Sequence, residues 1–314
     1  MVAVSIVICT RNRATKLGPM LDALGRVRSA LSWEVLLIDN ASTDNTREVL
    51  AQAVAENPNC RSETVSRIGL GAARDAAWRM ARGEIILFTD DDCYVEPDVI
   101  DAVAEAFRKY PDAGVIGGRI MLHDPSDYPV TIDESTEERV IAPHRYVPAG
   151  ALQGANLSFR RETLEAIGGI DLQLGAGTAF PCEDIAAVAD GVWAGYSARF
   201  DPTIVVRHHH GRKAADLPDI MASYNAGRGA YYARFLLRKD SRIAYLKGWY
   251  GSVRGSLTVQ RLGKIPGEFI SALRYFSKRK AFGAWLALLL FAPPTYAFLW
   301  VHWVRYRLFS GGSR

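Results

Sequence analysis

The sequence predicts an α/β protein: a doubly wound, mixed but mostly parallel sheet, followed by a C-terminal helical region. Two observations predict the sheet. Short apolar runs alternate with segments of helical period between Val2 and Lys109, the pattern of strands joined by crossover helices. Three of those runs end in polar clusters, and ligands of such sheets bind beyond the carboxyl ends of the strands. A third observation predicts the helical region: beyond residue 205 the chain turns basic and aromatic.

Taken in order, Val2–Cys9 (VAVSIVIC) is a continuous apolar run, as expected of a strand covered on both faces. Ala14–Val27 follows with apolar residues at helical spacing. Glu34–Asp39 (EVLLID) is a second strand and Asp44–Ala55 a helix. Arg61–Ser66 reads as a weaker strand and Gly71–Ala81 as a helix. Glu84–Thr89 (EIILFT) repeats the buried-strand pattern. Pro97–Lys109 is a helix opened by proline, where a missing N–H removes no bond. Gly114–Met121 reads as a strand, and the polar, turn-rich stretch His123–Arg145 as a long loop. Gly154–Arg160, a short helix from Glu162 and Gly168-Gly169 are expected to form a compact insertion. Glu183–Ala194 is helical and Ala198–His208 a strand. No internal repeat is visible.

The 314 residues are 49% hydrophobic and 23% charged, which excludes a disordered tail or a fibrous repeat. At roughly 100–200 residues per domain they make one large domain or two modest ones. The expected division is 1–212 and 213–314. Cys9, Cys60, Cys93 and Cys182 have no metal-ligand spacing. Met1–Cys9 is too short for a secretory signal and runs into Arg11 and Arg13. Scattered thiols in such a chain read as reduced and cytosolic. The net charge of +4 hides a division. Residues 1–205 carry 19 Lys+Arg against 30 Asp+Glu, or −11, and residues 206–314 carry 19 against 4, or +15. That asymmetry fits a polyanionic partner, either a nucleic acid or an anionic membrane surface.

The polar clusters carry the chemistry. The first strand ends in Thr10-Arg11-Asn12-Arg13, the second in Asp39-Asn40, and the strand ending at Thr89 delivers Asp90-Asp91-Asp92. Carboxylates side by side raise each other's cost of ionisation. A divalent cation such as Mg²⁺, held by one or two carboxylates and by substrate phosphates, removes that cost. The plainer reading is an acidic cap for the helix that follows, but a cap needs only one acid. Glu183-Asp184 also opens a helix, and as an isolated pair it reads as an acidic helix start. His208-His209-His210 ends a strand, with His208 and His210 on one face by alternation. Metal binding and a solvated basic strand end are both open there. Gly69–Arg74 (GLGAAR) lacks the final glycine of a dinucleotide loop and does not follow the first strand.

Together, Ser5–Arg13 (SIVICTRNR), Val35–Asp44 (VLLIDNASTD), Gly71–Asp75 (GAARD), Ile86–Cys93 (ILFTDDDC) and Cys182–Asp184 (CED) resemble, in order, inverting glycosyltransferases of family 2 with a GT-A fold. The resemblance covers roughly residues 1–210. It implies that Thr10, Arg11, Asn12 and Arg13 form the first nucleotide-binding loop and that Asp39 recognises the base, typically uracil. It implies that Arg74 closes over the nucleotide, with Asp75 where asparagine is usual. Asp90-Asp91-Asp92 matches the DxD element, placing Asp90 near the ribose and Asp92 on a metal, Mg²⁺ or Mn²⁺, that bridges the diphosphate. Asp184 then becomes the general base, with Glu183 beside it among the donor-binding residues, and Ala186 stands where a further aspartate is frequent. Asn156, in Gly154-Ala155-Asn156, lines the donor sugar, and His208 takes the place of a strand-end histidine that is sometimes a metal ligand.

The QxxRW element of the processive polymer synthases is absent, so one sugar per event is expected, passed to a glycan or a lipid-linked acceptor in cell-surface polysaccharide assembly. A nucleotidyltransferase is the first alternative, but its GxGTR loop is missing after the first strand. The second is a catalytically inactive module that recruits partners to a membrane, against which Asp39, Asp92 and Asp184 are all present.

Residues 213–280 read as helical, and the aromatics Tyr231, Tyr232, Phe235, Tyr245, Trp249 and Tyr250 alternate there with Arg and Lys. That mixture suits a membrane interface, and no recognised nucleic-acid module accompanies it. Ala281–Val304 is 24 residues without Asp, Glu, Lys or Arg, enough at about 1.5 Å per residue to enter a hydrocarbon core. Pro293-Pro294 interrupts it, and Lys278–Lys280 and Arg305/Arg307 flank it. Basic residues on both sides favour a re-entrant insertion from the cytoplasmic face over a span; a buried core helix or a dimer contact is the alternative.

Overall fold

The computed structural model describes residues 2–258 and 264–290. They part into two compact units, 2–179 with 183–217, and 180–182 with 218–258 and 264–290. The first unit is built on β1 (Val2–Thr10), β2 (Trp33–Asp39), β3 (Cys60–Thr64), β4 (Gly83–Asp90), β5 (Cys93–Val95), β6 (Ala113–Leu122), β7 (Arg139–Ile141), β8 (Asn156–Arg160) and β9 (Ser197–His208). Its helices are α1 (Gly18–Gly25), α2 (Thr46–Glu56), α3 (Leu70–Met80), α4 (Val99–Lys109), α5 (Arg161–Ala166) and α6 (Glu183–Trp193). The second unit carries α7 (Leu217–Leu237), α8 (Arg242–Thr258) and α9 (Lys264–Lys278).

One sheet runs in the order β3-β2-β1-β4-β8-β6-β9-β5, with β7 also on β9. β1 is parallel to β2 and β4, and β2 to β3. The sheet is therefore mixed and mostly parallel at its first half, as the alternation of runs requires. Val4, Ile6 and Ile8 of β1 pack with Leu37 and Leu87 under Met20 and Leu24 of α1 and Val103 and Phe107 of α4. Ser5 and Val7, on the other face of β1, are buried as well, which is why this strand reads as a continuous apolar run.

The segment 154–169 differs from its expectation as a compact insertion. Residues Asn156–Arg160 are β8, a central strand antiparallel to both β4 and β6. A five-residue run whose partners lie about 70 and 40 residues upstream carries no local sign of its position in the sheet. The expected loop 123–145 contains one short strand, β7, on the edge of β9. The first helix is shorter than its apolar spacing suggests. Pro19 sits in its first turn, and the chain before it is held as a loop by Asn12, in the left-handed region at φ 54°.

Glycine at 71 is required by close approach, since a Cβ there would stand 2.3 Å from the carbonyl oxygen of Leu174 and 2.6 Å from that of Asp171. Gly71→Ala is therefore expected to destabilise the first unit by about 1–3 kcal/mol, because backbone must shift to admit the methyl group. A thermal melt checks this, and an unchanged midpoint would show that the loop 171–174 is free to move away.

Candidate active site

Register brings the polar strand ends together. Thr10 pairs with Asp39 across β1 and β2, Cys9 with Asp90 across β1 and β4, and Cys93 with His208 across β5 and β9. Four segments distant in sequence thus meet at one sheet edge.

The loop after β1 is zipped onto the loop after β2. Asn12 Oδ1 accepts from the Thr43 N–H at 2.8 Å, and the Asn12 N–H donates to Ser42 Oγ at 3.0 Å. The Arg13 N–H donates to Thr46 Oγ1 at 2.9 Å. Asp39 is buried, accepts from the Ser42 N–H at 3.0 Å and pairs with Arg47 at 3.3 Å. Arg47 carries no mark in the sequence. Its approach depends on how the turn after β2 folds into α2, and no spacing signals that. Arg11 is exposed at the rim.

The acidic triplet is divided among partners. Asp90 pairs with Arg74 Nη2 at 2.7 Å. Asp91 accepts from the Thr10 hydroxyl and lies 3.2 Å from Arg13 Nη2. Asp92 takes the same Arg13 nitrogen at 3.0 Å and His208 Nε2 at 3.2 Å. Burial pushes the Asp91 carboxyl up to about 6, against the Thr10 hydrogen bond and the Arg13 charge. Burial also raises Asp90, only partly offset by Arg74. At Asp92 the balance reverses: burial acts upward, but the hydrogen bond and charge of His208 together with Arg13 hold the carboxyl below its usual range. His208 mirrors this, for Asp92 keeps the imidazole above its ordinary pKa although burial opposes it.

Ligand atoms of Asp90, Asp92, Cys93 and His208 all lie within 4.8 Å of one another. Two carboxylates and an imidazole suit Mg²⁺ or Mn²⁺, and the buried His208 Nδ1 has no hydrogen-bond partner. Burial drives the Cys93 thiol well above its ordinary pKa, so it stays protonated and offers a hard cation little. The donor set therefore fits a divalent ion, and Cys93 belongs to its packing. The other two histidines separate. The His210 ring packs 5.0 Å from that of His208, while His209 receives or donates a 2.9 Å hydrogen bond with the Tyr94 hydroxyl.

Arg74 joins this edge to the second acidic pair. It is buried, donates to Asp90, to Glu183 Oε1 at 3.0 Å and to the Gly154 carbonyl at 3.0 Å. Burial pushes the Glu183 carboxyl up to about 7, with Arg74 opposing. Asp184 is turned the other way. Its Oδ2 accepts from the Gly154 N–H at 2.9 Å and its Oδ1 from the Ile185 N–H at 2.7 Å. Each oxygen keeps a further lone pair. Gly154 is the hinge of this arrangement, since a Cβ there would stand 2.6 Å from Arg74 Nη1 and 3.0 Å from Asp184 Oδ2. Asn156 lies deeper: its amide donates to the carbonyls of Arg119 and Ile204 at 2.9 and 3.1 Å. Both bonds lie within the sheet, while its buried Oδ1 has no hydrogen-bond partner. Asp75, in the position where the resemblance leads one to expect asparagine, accepts from Trp78 Nε1 and the Ile170 N–H and so pins the 168–170 turn to α3.

Residues 5–167 match the family model for glycosyl transferase family 2. The chain belongs to that family. This chain is 36% identical over 76 residues to a chondroitin synthase of Escherichia coli, an alignment covering 24% of this chain and 11% of that protein. It is 33% identical over 100 residues to a poly(ribitol-phosphate) beta-glucosyltransferase of Bacillus spizizenii, covering 31% and 16%. The aligned part thus spans only a small share of these relatives. Among solved structures it is similar to the mannosyltransferase PcManGT from Pyrobaculum calidifontis in complex with GDP-Man and Mn²⁺. The TM-score is 0.60 at 20% identity, over 98% of this chain and 87% of that one. Residues 1–349 of TarS from S. aureus in complex with UDP-GlcNAc give a TM-score of 0.61 at 13% identity, over 87% and 80%. The chain accordingly has the GT-A fold expected from its sequence.

Proposed function

We propose that the protein is a metal-dependent inverting glycosyltransferase that moves one sugar per event from a nucleoside-diphosphate sugar, most favourably a UDP-sugar, to a hydroxyl of a glycan or lipid-linked acceptor. It works at the cytoplasmic face of the cell membrane in cell-surface polysaccharide assembly, with membrane lipids and no nucleic acid as partners. The observation that carries the reading is the meeting of Asp90, Asp92 and His208 at one sheet edge, with Asp184 linked to that edge through Gly154 and Arg74.

Asp92, Asp90 and His208 would hold the cation, which when bound would supply positive charge against that developing on the departing diphosphate. Asp39 and the 10–13 loop bind the nucleoside, so that remote contacts fix the donor and leave its anomeric carbon facing the acceptor. Arg74 holds Asp90, Glu183 and the 154 backbone in one geometry. Asp184, oriented by the Gly154 N–H, takes the proton from the acceptor hydroxyl as that oxygen attacks the anomeric carbon from the side opposite the leaving diphosphate. Among the relatives are a chondroitin synthase, a poly(ribitol-phosphate) beta-glucosyltransferase and a dolichyl-phosphate beta-glucosyltransferase, and the similar structures are complexes with GDP-Man and with UDP-GlcNAc; these support a nucleotide-sugar donor and a glycan or lipid-linked acceptor.

A thermal-shift series with UDP, GDP and their sugars, with and without Mn²⁺, tests the reading. A ligand that binds only the folded chain at about 100 times its dissociation constant stabilises by about 2.7 kcal/mol, and that gain is expected only with metal present. Donor hydrolysis across the same sugars then names the substrate. Absence of any metal-dependent shift would sink the proposal in favour of an inactive module, whereas release of pyrophosphate from a nucleoside triphosphate and a sugar phosphate would favour a nucleotidyltransferase.

A further inference from the structure

The aromatic residues that the sequence assigns to a membrane interface are, with one exception, the core of the second unit. Tyr231, Tyr232, Phe235, Tyr245 and Trp249 are buried. Phe235 and Tyr245 stack with ring centroids 4.4 Å apart, Tyr232 and Trp249 stack at 5.2 Å, and the hydroxyls of Tyr231 and Tyr245 lie 2.8 Å apart. Only Tyr250 of that set is exposed. The reason is helical phase. Tyr245, Trp249 and Val253 recur at four-residue spacing and fill one side of α8.

The opposite side of α8 is not polar. Ile243, Leu246 and Tyr250 are 67, 51 and 47% exposed, although they share one stripe of the helix. Lys247 and Arg254 lie on that stripe and are exposed too. α8 is thus apolar on both sides, with cations set among the exposed apolar residues. The helical stretch 282–290 adds Phe282, Leu286 and Leu290 at 67, 53 and 62% exposure. A groove of about 410 Å³ runs between this stretch and the start of α8, walled by Leu236, Leu246, Phe276, Ala284 and Leu288, with Arg242 the charged residue on its lining. Lys239, Lys278, Arg279 and Lys280 are exposed in the same unit. Its three described acids offset them little: Glu268 is fully buried against Arg228, Asp240 is paired with Arg238, and Asp219 alone is exposed without such a pairing role, in the first turn of α7.

We propose that the second unit docks in the plane of an anionic lipid surface through the Ile243–Leu246–Tyr250 face of α8 and the exposed side of 282–290. The apolar side chains enter the boundary between headgroups and acyl chains, and the groove beside Leu246 takes acyl-chain carbons. Lys239, Arg242, Lys247 and Arg254 meet lipid phosphates, each contributing at the surface and each screened by salt. Charge complementarity selects a lipid surface over a second copy of this chain, since two such basic faces repel each other. Among the described residues no helix is long and apolar enough to cross a membrane, so the docking claimed is on the surface. The remainder of the 281–304 segment, with Pro293-Pro294 and the basic residues Arg305 and Arg307, lies outside the described residues.

The test uses the full chain with vesicles of phosphatidylcholine alone or mixed with phosphatidylglycerol. Sedimentation is expected with the anionic vesicles and not with the neutral ones. The variant Ile243→Ser/Leu246→Ser/Tyr250→Ser is expected to partition about tenfold less or weaker still, because it loses three apolar anchors, while its melting midpoint and its donor hydrolysis in solution stay unchanged. A polarity-sensitive fluorophore on Leu246→Cys supplies a reading independent of affinity, with Val140→Cys, 58% exposed in the first unit, as the control. Blue-shifted emission at 246 and not at 140 on anionic vesicles is the expected result. A water-like emission at 246 while the protein sediments would overturn the assigned face, as would a folded triple variant that binds undiminished. Failure of the wild-type chain to sediment would overturn lipid docking itself. None of these outcomes depends on sugar transfer, so the catalytic reading fails or stands separately.

Discussion

Replacing Asp92 by alanine is expected to abolish sugar transfer and to remove metal-dependent stabilisation by nucleotide. Asp92 is the residue on which the acidic edge converges, with Arg13 on one oxygen and His208 on the other. Its loss removes a carboxylate from the cation site and leaves the Arg13 guanidinium beside it without that partner, which repels the ion further. Preorganised charge at a departing phosphate is worth several kcal/mol in the transition state, so a fall of about 10²-fold or more in turnover is expected. Asp92→Asn, which keeps the volume, is expected to lose nearly as much, because the amide supplies no net charge. Steady-state transfer and the thermal shift with Mn²⁺ measure the two effects in parallel. Undiminished turnover in a folded Asp92→Ala protein would remove the cation from the assignment.

Asp184→Asn separates proton transfer from binding. The amide can present its carbonyl oxygen to the Gly154 N–H that now holds Oδ2 at 2.9 Å, giving up the Ile185 N–H on the other oxygen, so the link to Gly154 is kept. It cannot accept the acceptor proton. General-base catalysis contributes about 10²–10⁴-fold, and that loss should fall on turnover, with the donor dissociation constant within about twofold of wild type. Donor binding read by thermal shift and acceptor transfer read by product formation make the comparison. If donor affinity collapses while transfer persists, Asp184 is a donor ligand, and the base must be sought elsewhere.

The parts of the fold that were legible are those whose signal is local. β1, β2 and β4 are buried on both faces and read as continuous apolar runs, and their carboxyl ends carry the polar clusters because a ligand site opens there. β8 was not legible as a sheet strand. It is five residues long, and its place between β4 and β6 depends on antiparallel pairing that no neighbouring residue announces. Helix α1 starts late because Asn12 turns left-handed to reach the loop after β2, a tertiary contact that overrides apolar spacing. In the site, the triplet 90–92 was visible as a cluster, but its division was not. Asp90 faces Arg74, Asp91 faces Arg13, and Asp92 shares Arg13 and takes His208 as well, and only folded geometry decides which takes which.

The same contrast governs the second unit. Its sequence established a basic, aromatic, helical region, since charge and composition survive any folding. It did not establish which aromatics meet solvent, because side chains at i and i+4 share a face whichever way that face is turned. Packing decided that Tyr245 and Trp249 turn inward and Ile243 and Tyr250 outward. By itself the sequence determined the α/β class, the family and the residue types at the strand ends. Those depend on hydrophobic period and on motifs that are contiguous in the chain. Tertiary structure alone decided the opposition of Asp92 and His208, the Arg74 bridge from Asp90 to Glu183 and the inward amide of Asn156. Each of these is a contact between residues 16 to 116 positions apart, fixed by strand register and the close approach of backbone.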